Sequence, residues 1–290
     1  MSVNLTALTQ YVDENKIGLI RKSALGARTL DYVTIQTGVV GPTAVNLLNT
    51  SIEFGDGASC GWDEKGESKV SQRTITPAQL KVNMSFCDKA MAKYFMNYEV
   101  NMAAGRATLP FEEAFANDVV EKTNAKLDNV IWNGIKIGET TYKGFLDLVT
   151  EAPVETGDTL YGTFKNVYEA IPVEVLDKAV IFAGLDSFRS LVLELTKENL
   201  YYYNPTVDEK YEIVLPGTNT KVVGVPGLNG TKKILAANPE HMFYGTDMAG
   251  DEEVFKMWYS DDNQEFRLNI GFSAGVQFAF PDQVVYAMNV

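Results

Sequence analysis

The chain has 290 residues, and 46% of them are hydrophobic, which supplies a substantial core for one large or two modest domains and excludes a disordered chain. Thirty-eight acidic residues against 25 basic ones give a formal net charge of −13. This charge argues against a protein whose main task is to bind nucleic acid, because such binding draws on clustered Lys and Arg.

Residues 1–48 are predicted to form an N-terminal arm. Residues 5–12 carry apolar side chains at helical spacing, and residues 32–37 alternate as a strand that ends at Gly38. The start of the chain lacks the basic and apolar segments of a secretory signal. No stretch reaches the roughly 18–20 apolar residues that a membrane span needs. We therefore expect a soluble protein that has no membrane partner.

Residues 49–90 are predicted to form an extended loop. Within it, residues 51–68 hold four glycines and six charged residues with little periodicity, which predicts a projecting segment. Residues 70–75 and 80–86 alternate on either side of Pro77, and we expect them to pair with each other as a two-stranded arm. An isolated hairpin is marginal in water, so this arm needs another surface to lie against.

Residues 91–145 are predicted to contain one long helix. Pro110 suits a first helical turn, the carboxylate of Glu112 favours the N-terminal dipole, and Gly134 is a natural stop. The apolar residues between these limits share one broad face, with Phe115 directed at a sheet. About 24 residues at 1.5 Å each give a helix of roughly 36 Å.

The second half of the chain mixes helix and strand. A strand at residues 179–182 precedes a helix at residues 186–199. The C-terminal part returns to strands, which are predicted at residues 254–259, 265–272, 276–280 and 284–288. This order indicates an α+β fold, and it differs from the βαβ alternation of a nucleotide-binding domain.

No residue is assigned a catalytic, cofactor-binding or metal-binding role, and the chain is predicted not to be an enzyme. His241 is the only histidine, which excludes a His-rich metal site, and its surroundings predict a packing role. Cys60 and Cys87 have no CxxC partner and are predicted to be reduced thiols, because nothing directs the chain to an oxidising compartment.

Two further stretches only superficially resemble ligand sites. In residues 224–233 Thr231 separates Gly230 from Lys232, whereas a phosphate-binding loop places the lysine directly after the glycine, so tight turns explain this stretch better. The acidic residues 261–265 lack the glycine and the spacing of an EF-hand and are predicted to cap a hairpin.

Four stretches together resemble a known family. They are FGDGASCGWDEKGESKVSQRTITPAQLKVNMSFC, LPFEEAFANDVVEKTNAKLDNVIWNG, AVIFAGLDSFRSLVLEL and VVGVPGLNGTKKILAANPEHMFYGTDM, in this order. Their order and spacing resemble the major capsid proteins of tailed bacteriophages, which have the HK97-like fold. The resemblance covers nearly the whole chain and identifies the first stretch with the extended E-loop and the second with the spine helix.

The resemblance also implies a division of the chain. The implied units are an N-terminal arm (1–48), the E-loop (49–90), a peripheral domain with the spine helix (91–145), an axial domain (146–249), and strands that return to the peripheral domain (250–290). Since the chain starts at Met1 with a short arm, a fused scaffold segment is not expected.

The implied function is that of a major capsid protein, which self-assembles into hexamers and pentamers of an icosahedral head around phage double-stranded DNA. The implied partners are other copies of the chain, a portal protein, and separate scaffold or cement proteins. Packaged DNA is expected to make non-specific contacts only, for example with Lys16, Arg21, Lys22 and Arg28. The implied location is the virion, after assembly in the host cytoplasm.

Two other functions stay open at this point. An encapsulin-like nanocompartment has the same fold and encloses protein cargo. An enzyme or a carbohydrate-binding module would use Trp62, Trp132 and Trp258 as platforms, although Trp132 closes the long helix and is predicted to pack in the core.

Overall fold

The computed structural model describes residues 5–54, 66–87, 93, 96–98, 100, 111–137, 140–197, 211–247, 254–263 and 265–288. The helices are α1 (Leu5–Glu14), α2 (Lys16–Leu25), α3 (Phe111–Asn133), α4 (Phe145–Leu148), α5 (Leu160–Ala170) and α6 (Leu185–Lys197). The strands of the first half are β1 (Thr34–Thr37), β2 (Thr43–Ile52), β3 (Gly66–Ile75), β4 (Ala78–Cys87), β5 (Ile135–Ile137) and β6 (Thr140–Tyr142). The strands of the second half are β7 (Val180–Gly184), β8 (Glu212–Val214), β9 (Lys221–Val225), β10 (Lys233–Ala237), β11 (Met242–Thr246), β12 (Val254–Ser260), β13 (Glu265–Phe278) and β14 (Val285–Met288).

The first sheet, which we call the body sheet, is built around β13. Its order is β1-β11-β13-β12, and β4 pairs with β13 as a fifth strand. Alternate residues of β13 from Phe266 to Phe272 are buried, while Arg267 and Asn269 point to the other face. The sheet therefore has an apolar face that packs on helices and a second, more polar face.

The long helix α3 lies over the apolar face of the body sheet. Its buried residues Val119, Leu127 and Ile131 belong to the same core as Phe266 of β13. The helix ends at Gly134, whose φ of +67° is in the left-handed region that favours glycine at this position. The predicted end of this helix is confirmed, whereas its predicted first turn at Pro110 lies outside the described residues.

The second sheet has the order β14-β10-β7-β9-β8, and β7 and β9 are parallel. Successive residues of β7 point to opposite sides, so Ile181 packs under α5 and α6 while Phe182 packs towards α3. The sheet is therefore covered by helices on one face and joined to the main core on the other.

Two predictions about local structure are corrected. The strands on either side of Pro77 do not pair with each other, because β3 pairs with β2 and β4 pairs with β13. The strands predicted at residues 265–272 and 276–280 are one continuous strand, β13. Residues 5–25 form two helices that pack on α3 and β12.

Candidate functional site: a projecting ribbon and the junction that supports it

The most exposed regular element is a two-stranded ribbon, which we call the projecting ribbon. It consists of β2 and β3, which pair in register from Thr43 opposite Ile75 to Ile52 opposite Gly66. Ten residues per strand correspond to a length of about 33 Å. The connection between the two strands, residues 55–65, lies outside the described residues, and so do Cys60 and Trp62 of the sequence analysis.

The base of the ribbon is anchored on the body sheet. Ile75 is fully buried there and clusters with Val39, Val45 and Leu47. It lies over two directly paired glycines, Gly245 of β11 and Gly275 of β13. A Cβ at Gly275 would lie 2.9 Å from the Thr76 carbonyl oxygen and 3.0 Å from Cγ2 of Ile75. The two glycines therefore make the space that the ribbon base occupies.

The distal half of the ribbon has two different faces. The face that is buried at the base carries an ion pair further out, in which Lys69 Nζ lies 2.9 Å from Glu67 Oε2. The opposite face carries Leu48 directly across from Val70, and Ile52 follows two rungs further out. These three apolar side chains are 65%, 73% and 78% exposed, respectively. The polar pair of Thr50 and Ser68 separates Ile52 from the apolar pair of Leu48 and Val70. Apolar side chains that are this exposed on a projecting element indicate a contact with another molecule.

A second feature, which we call the central junction, joins the N-terminal segment, α3 and the turn after β9. Its members are Thr29, Asp128, Trp132 and Gly227. The backbone N–H of Thr29 donates to Asp128 Oδ1 at 2.8 Å, and that of Gly227 donates to Asp128 Oδ2 at 2.6 Å. Trp132 Nε1 donates to Thr29 Oγ1 at 2.6 Å. One turn of α3 thus fixes two chain segments that are far apart in sequence.

Aromatic packing surrounds the central junction. The ring of Trp132 is fully buried, with its centroid 5.6 Å from that of Phe145 and 5.3 Å from that of Phe182. Gly227 leaves no room for a side chain, because a Cβ there would overlap the Asp128 carbonyl and the Trp132 ring. The junction is therefore a closely packed contact, and its role is structural.

Burial is the main cause that raises the pKa of Asp128 above its ordinary value, and the hydrogen bonds from Thr29 and Gly227 partly oppose this rise. Nearby, Arg28 stacks on the ring of Tyr211 at 5.1 Å. Of the four basic residues predicted to approach DNA, Arg28 is thus half-buried, whereas Lys16, Arg21 and Lys22 are exposed on α2.

The residues considered as possible ligand sites lie apart from one another. His241 follows β10 in a short 3-10 turn, where its Nδ1 lies 3.1 Å from Gln283 Oε1 and its ring packs edge-on against Phe280. Desolvation is the main cause that lowers the pKa of His241. These contacts agree with the packing role predicted for this residue. Cys87 is an exposed free thiol at the end of β4.

The two superficial ligand motifs form turns. The glycine-rich stretch after β9 contains a 3-10 turn at Pro226–Leu228, followed by Gly230 at a φ of +71°. Gly230 N donates to Asp186 Oδ2 at 2.9 Å, which ties this turn to the start of α6. The acidic residues after β12 lead into β13, with which β12 pairs as a hairpin.

Nowhere in the described parts of the chain do three or more His, Cys, Asp or Glu side chains gather as a metal site requires. Among the described helices, none combines the length and the apolar character that a membrane span needs.

Solved structures resemble this fold over almost its whole length. A chain of the satellite phage P4 procapsid that includes the size determination (Sid) protein matches with a TM-score of 0.64 and 11% identity, over 94% of this chain and 90% of that chain. The chain has the phage capsid fold. A chain from the capsid of an empty GTA particle matches with a TM-score of 0.58 and 9% identity, over 92% of this chain and 89% of that one. A chain from Mycobacterium phage Adephagia matches with a TM-score of 0.55 and 13% identity, over 91% of this chain and 90% of that chain.

These identities are low, and the likeness concerns the capsid fold alone. No protein-family model and no curated protein sequence matches the chain. The predicted α+β class is confirmed, and the likeness to these capsid structures agrees with the predicted HK97-like fold. The sequence analysis predicted strand β3 of the projecting ribbon and the core position of Trp132. It did not predict that β3 pairs with β2, or the hydrogen bonds of the central junction.

Proposed function

We propose that the chain is the major capsid protein of a tailed phage. In this proposal it self-assembles into hexamers and pentamers of an icosahedral head that encloses double-stranded DNA. The observation that carries the proposal is the projecting ribbon on a capsid fold, because its outward apolar face has no partner in the described part of its own chain. A neighbouring copy in a shell would supply that partner.

The exposed side chains of the ribbon set the scale of the expected contact. Burying the side chains of Leu48, Ile52 and Val70 contributes about 1.5–3 kcal/mol each. A single contact of this size is modest once the costs of association are subtracted. In a closed shell each subunit makes this contact through its own ribbon and receives it from a neighbour, so many weak contacts act together in one particle.

The proposal assigns a structural role without catalysis, in line with the capsid fold. We propose the implied units 1–48, 49–90, 91–145, 146–249 and 250–290 as the arm, E-loop, peripheral domain, axial domain and returning strands. A portal protein and separate scaffold or cement proteins are proposed partners, and assembly is proposed to occur in the host cytoplasm before the chain enters the virion.

Packaged DNA is proposed to touch the shell only non-specifically. A net charge of −13 makes strong binding to a free duplex electrostatically unfavourable. The exposed cations Lys16, Arg21 and Lys22 of α2 offer few phosphate contacts, so any binding should disappear by physiological salt. A tight complex with a short duplex at about 0.2 M salt would contradict the container function.

The proposed function is tested by expressing the full chain and following its assembly by sedimentation velocity and electron microscopy. We expect capsomers or closed shells with pentameric and hexameric units. A chain that remains monomeric or dimeric under all assembly conditions would contradict the proposal. Shells isolated from the host that contain an enzyme and no DNA would instead support the encapsulin-like alternative.

A further inference from the structure

The polar face of the body sheet carries a cluster of cations, which we call the basic sheet face. It is formed by Lys81 of β4, Lys256 of β12 and Arg267 of β13. In the strand register Arg267 is paired with Trp258, Lys256 with Asn269, and Lys81 with Gly271, so all three cations lie on one face. Both lysines are exposed. Lys81 and Arg267 line part of an open hollow of about 420 Å³.

The basic sheet face is positive in a chain that is strongly negative. Among the described residues of its three strands the one carboxylate is Glu265, which accepts a hydrogen bond from Arg267 Nε at 2.9 Å. This bond is the main cause that lowers the pKa of Glu265. On the described residues of these three strands, three cations and one carboxylate leave a charge of +2. Lys256 lies 5.7 Å from the ring centroid of Trp258, and no described carboxylate forms an ion pair with Lys81 or Lys256.

A matching acidic segment lies between α4 and α5, and we call residues 151–158 the acidic loop. Glu151, Glu155 and Asp158 are all exposed, and the sequence has no Lys or Arg between positions 143 and 165. The loop is held in place on the fold, because Val154 N donates to the carbonyl of Tyr286 at 2.8 Å. Its carboxylates are therefore displayed by an ordered segment, which lowers the entropic cost of binding.

The acidic loop cannot reach the basic sheet face of its own chain. It starts just after α4, where Phe145 packs against Phe278 at the C-terminal end of β13, with ring centroids 4.9 Å apart. Arg267 lies eleven residues earlier on this strand, which is about 36 Å away, and it points to the opposite face of the sheet. Any contact between the two surfaces must therefore join two copies of the chain.

We propose that the acidic loop of one copy docks on the basic sheet face of a second copy. This inference rests on the proposed function, and it names one contact by which the shell subunits recognise each other. A contact between two different surfaces of identical chains is heterologous, and it closes into a ring when the rotation allows. Charge complementarity of this kind sets specificity and the rate of association, and it weakens with salt.

The inference is tested by charge exchange in the full chain. The face variant is Lys81→Glu with Lys256→Glu, and the loop variant is Glu151→Lys with Glu155→Lys. Each replaces attraction by repulsion, so each alone should associate at least about tenfold more weakly than the wild type at low salt in sedimentation velocity. The equimolar mixture of the two variants, and the quadruple variant, should regain association.

The control variant Lys126→Glu with Lys136→Glu makes the same change in net charge at two exposed positions outside the basic sheet face, and it should associate like the wild type. Circular dichroism checks that every variant is folded. Wild-type association of the face variant, or failure of the quadruple variant to recover, would overturn the inference alone. A wild-type chain that never associates would overturn the proposed function as well.

Nucleic acid is the other class of anion that the basic sheet face could attract, and the overall charge disfavours it. Fluorescence anisotropy with a short labelled duplex distinguishes the two. We expect no binding by the wild type at physiological salt. Binding that the face variant loses and the control variant keeps would assign this face to DNA and overturn the inference.

Discussion

In the distal half of the projecting ribbon Leu48 and Val70 are 65% and 73% exposed, whereas in the central junction Asp128 and Trp132 are 1% and 0% exposed. The junction surrounds its polar atoms with partners from its own chain. The ribbon turns apolar side chains outward, away from the body that anchors it. The junction thus buries its apolar side chains against its own chain, whereas the ribbon presents its apolar side chains to another molecule.

This difference separates stability from assembly. Substitutions in the junction should lower the free energy of unfolding of the isolated chain, because they create cavities or leave buried polar groups unpaired. Substitutions on the distal ribbon should leave that free energy nearly unchanged and weaken only the association between copies of the chain. Four variants test the comparison in decreasing order of their expected effect on stability.

Trp132→Ala should have the largest effect. Removing this fully buried ring leaves a cavity beside Phe145 and Phe182, and we expect a loss of about 3–5 kcal/mol in chemical denaturation followed by circular dichroism. Trp258→Ala is the matched control, because that ring is only half-buried and should cost clearly less. Equal losses for the two variants would contradict the placement of Trp132 in the core.

Asp128→Asn should cost about 1–3 kcal/mol at neutral pH. The amide keeps the shape of the side chain but offers one acceptor oxygen in place of two, so the N–H of Thr29 or of Gly227 is left without its partner. Denaturation at pH 7 measures this loss. No loss would mean that the carboxylate does not hold the two segments.

The same variant predicts a change in pH dependence. Because the pKa of Asp128 is raised above its ordinary value of 3.8, the folded chain keeps this proton to higher pH than the unfolded chain does. The stability due to this group is fully present below pH 3.8 and is lost as pH rises through the folded pKa. In Asp128→Asn this fall should be missing from the stability–pH curve. An unchanged curve would contradict the prediction.

Gly275→Ala should cost about 1–3 kcal/mol, since the added Cβ would press on the Thr76 carbonyl and on Ile75 and displace the ribbon base. Gly18→Ala is the control with the same chemical change. A Cβ at Gly18 meets nothing within 4 Å, and α2 should gain up to about 1 kcal/mol from alanine. Opposite signs in thermal unfolding are the expected result, and equal signs would contradict the packing of Ile75.

The limits of helix α3 could be predicted from the sequence because its ends carry local signals. Pro110 and Gly134 mark them directly, and the apolar spacing between them has the helical period. The partners of the strands could not be predicted in the same way. Alternation in β3 and β4 shows that both are strands, but a period of two contains no information on which strand lies next to which.

The sequence analysis missed the central junction and the glycine pair under the ribbon. Asp128 is a carboxylate between Leu127 and Val130 on the apolar side of a long helix. A carboxylate at such a position indicates a buried acceptor that needs hydrogen-bond partners. Its two donors come from segments about 99 residues away in either direction, so nothing local identifies them. Gly245 and Gly275 are 30 positions apart in the sequence, and only the pairing of β11 with β13 brings them together under Ile75.

The smallest effect on stability is expected for Leu48→Lys with Val70→Glu. These residues are directly paired on exposed rungs, and opposite charges across a rung support the pairing by about 0.2–1 kcal/mol while removing the apolar face. Glu67→Gln with Lys69→Gln is the control on the opposite face of the ribbon. It should leave both stability and assembly unchanged.

The most direct test of the central claim is to image purified wild-type chain and the Leu48→Lys, Val70→Glu variant side by side by electron microscopy under one assembly condition, with thermal unfolding of both chains. We predict closed particles for the wild type and none for the variant, with unfolding free energies that agree within about 1 kcal/mol. Normal particles from the variant would contradict the claim that the projecting ribbon joins neighbouring copies.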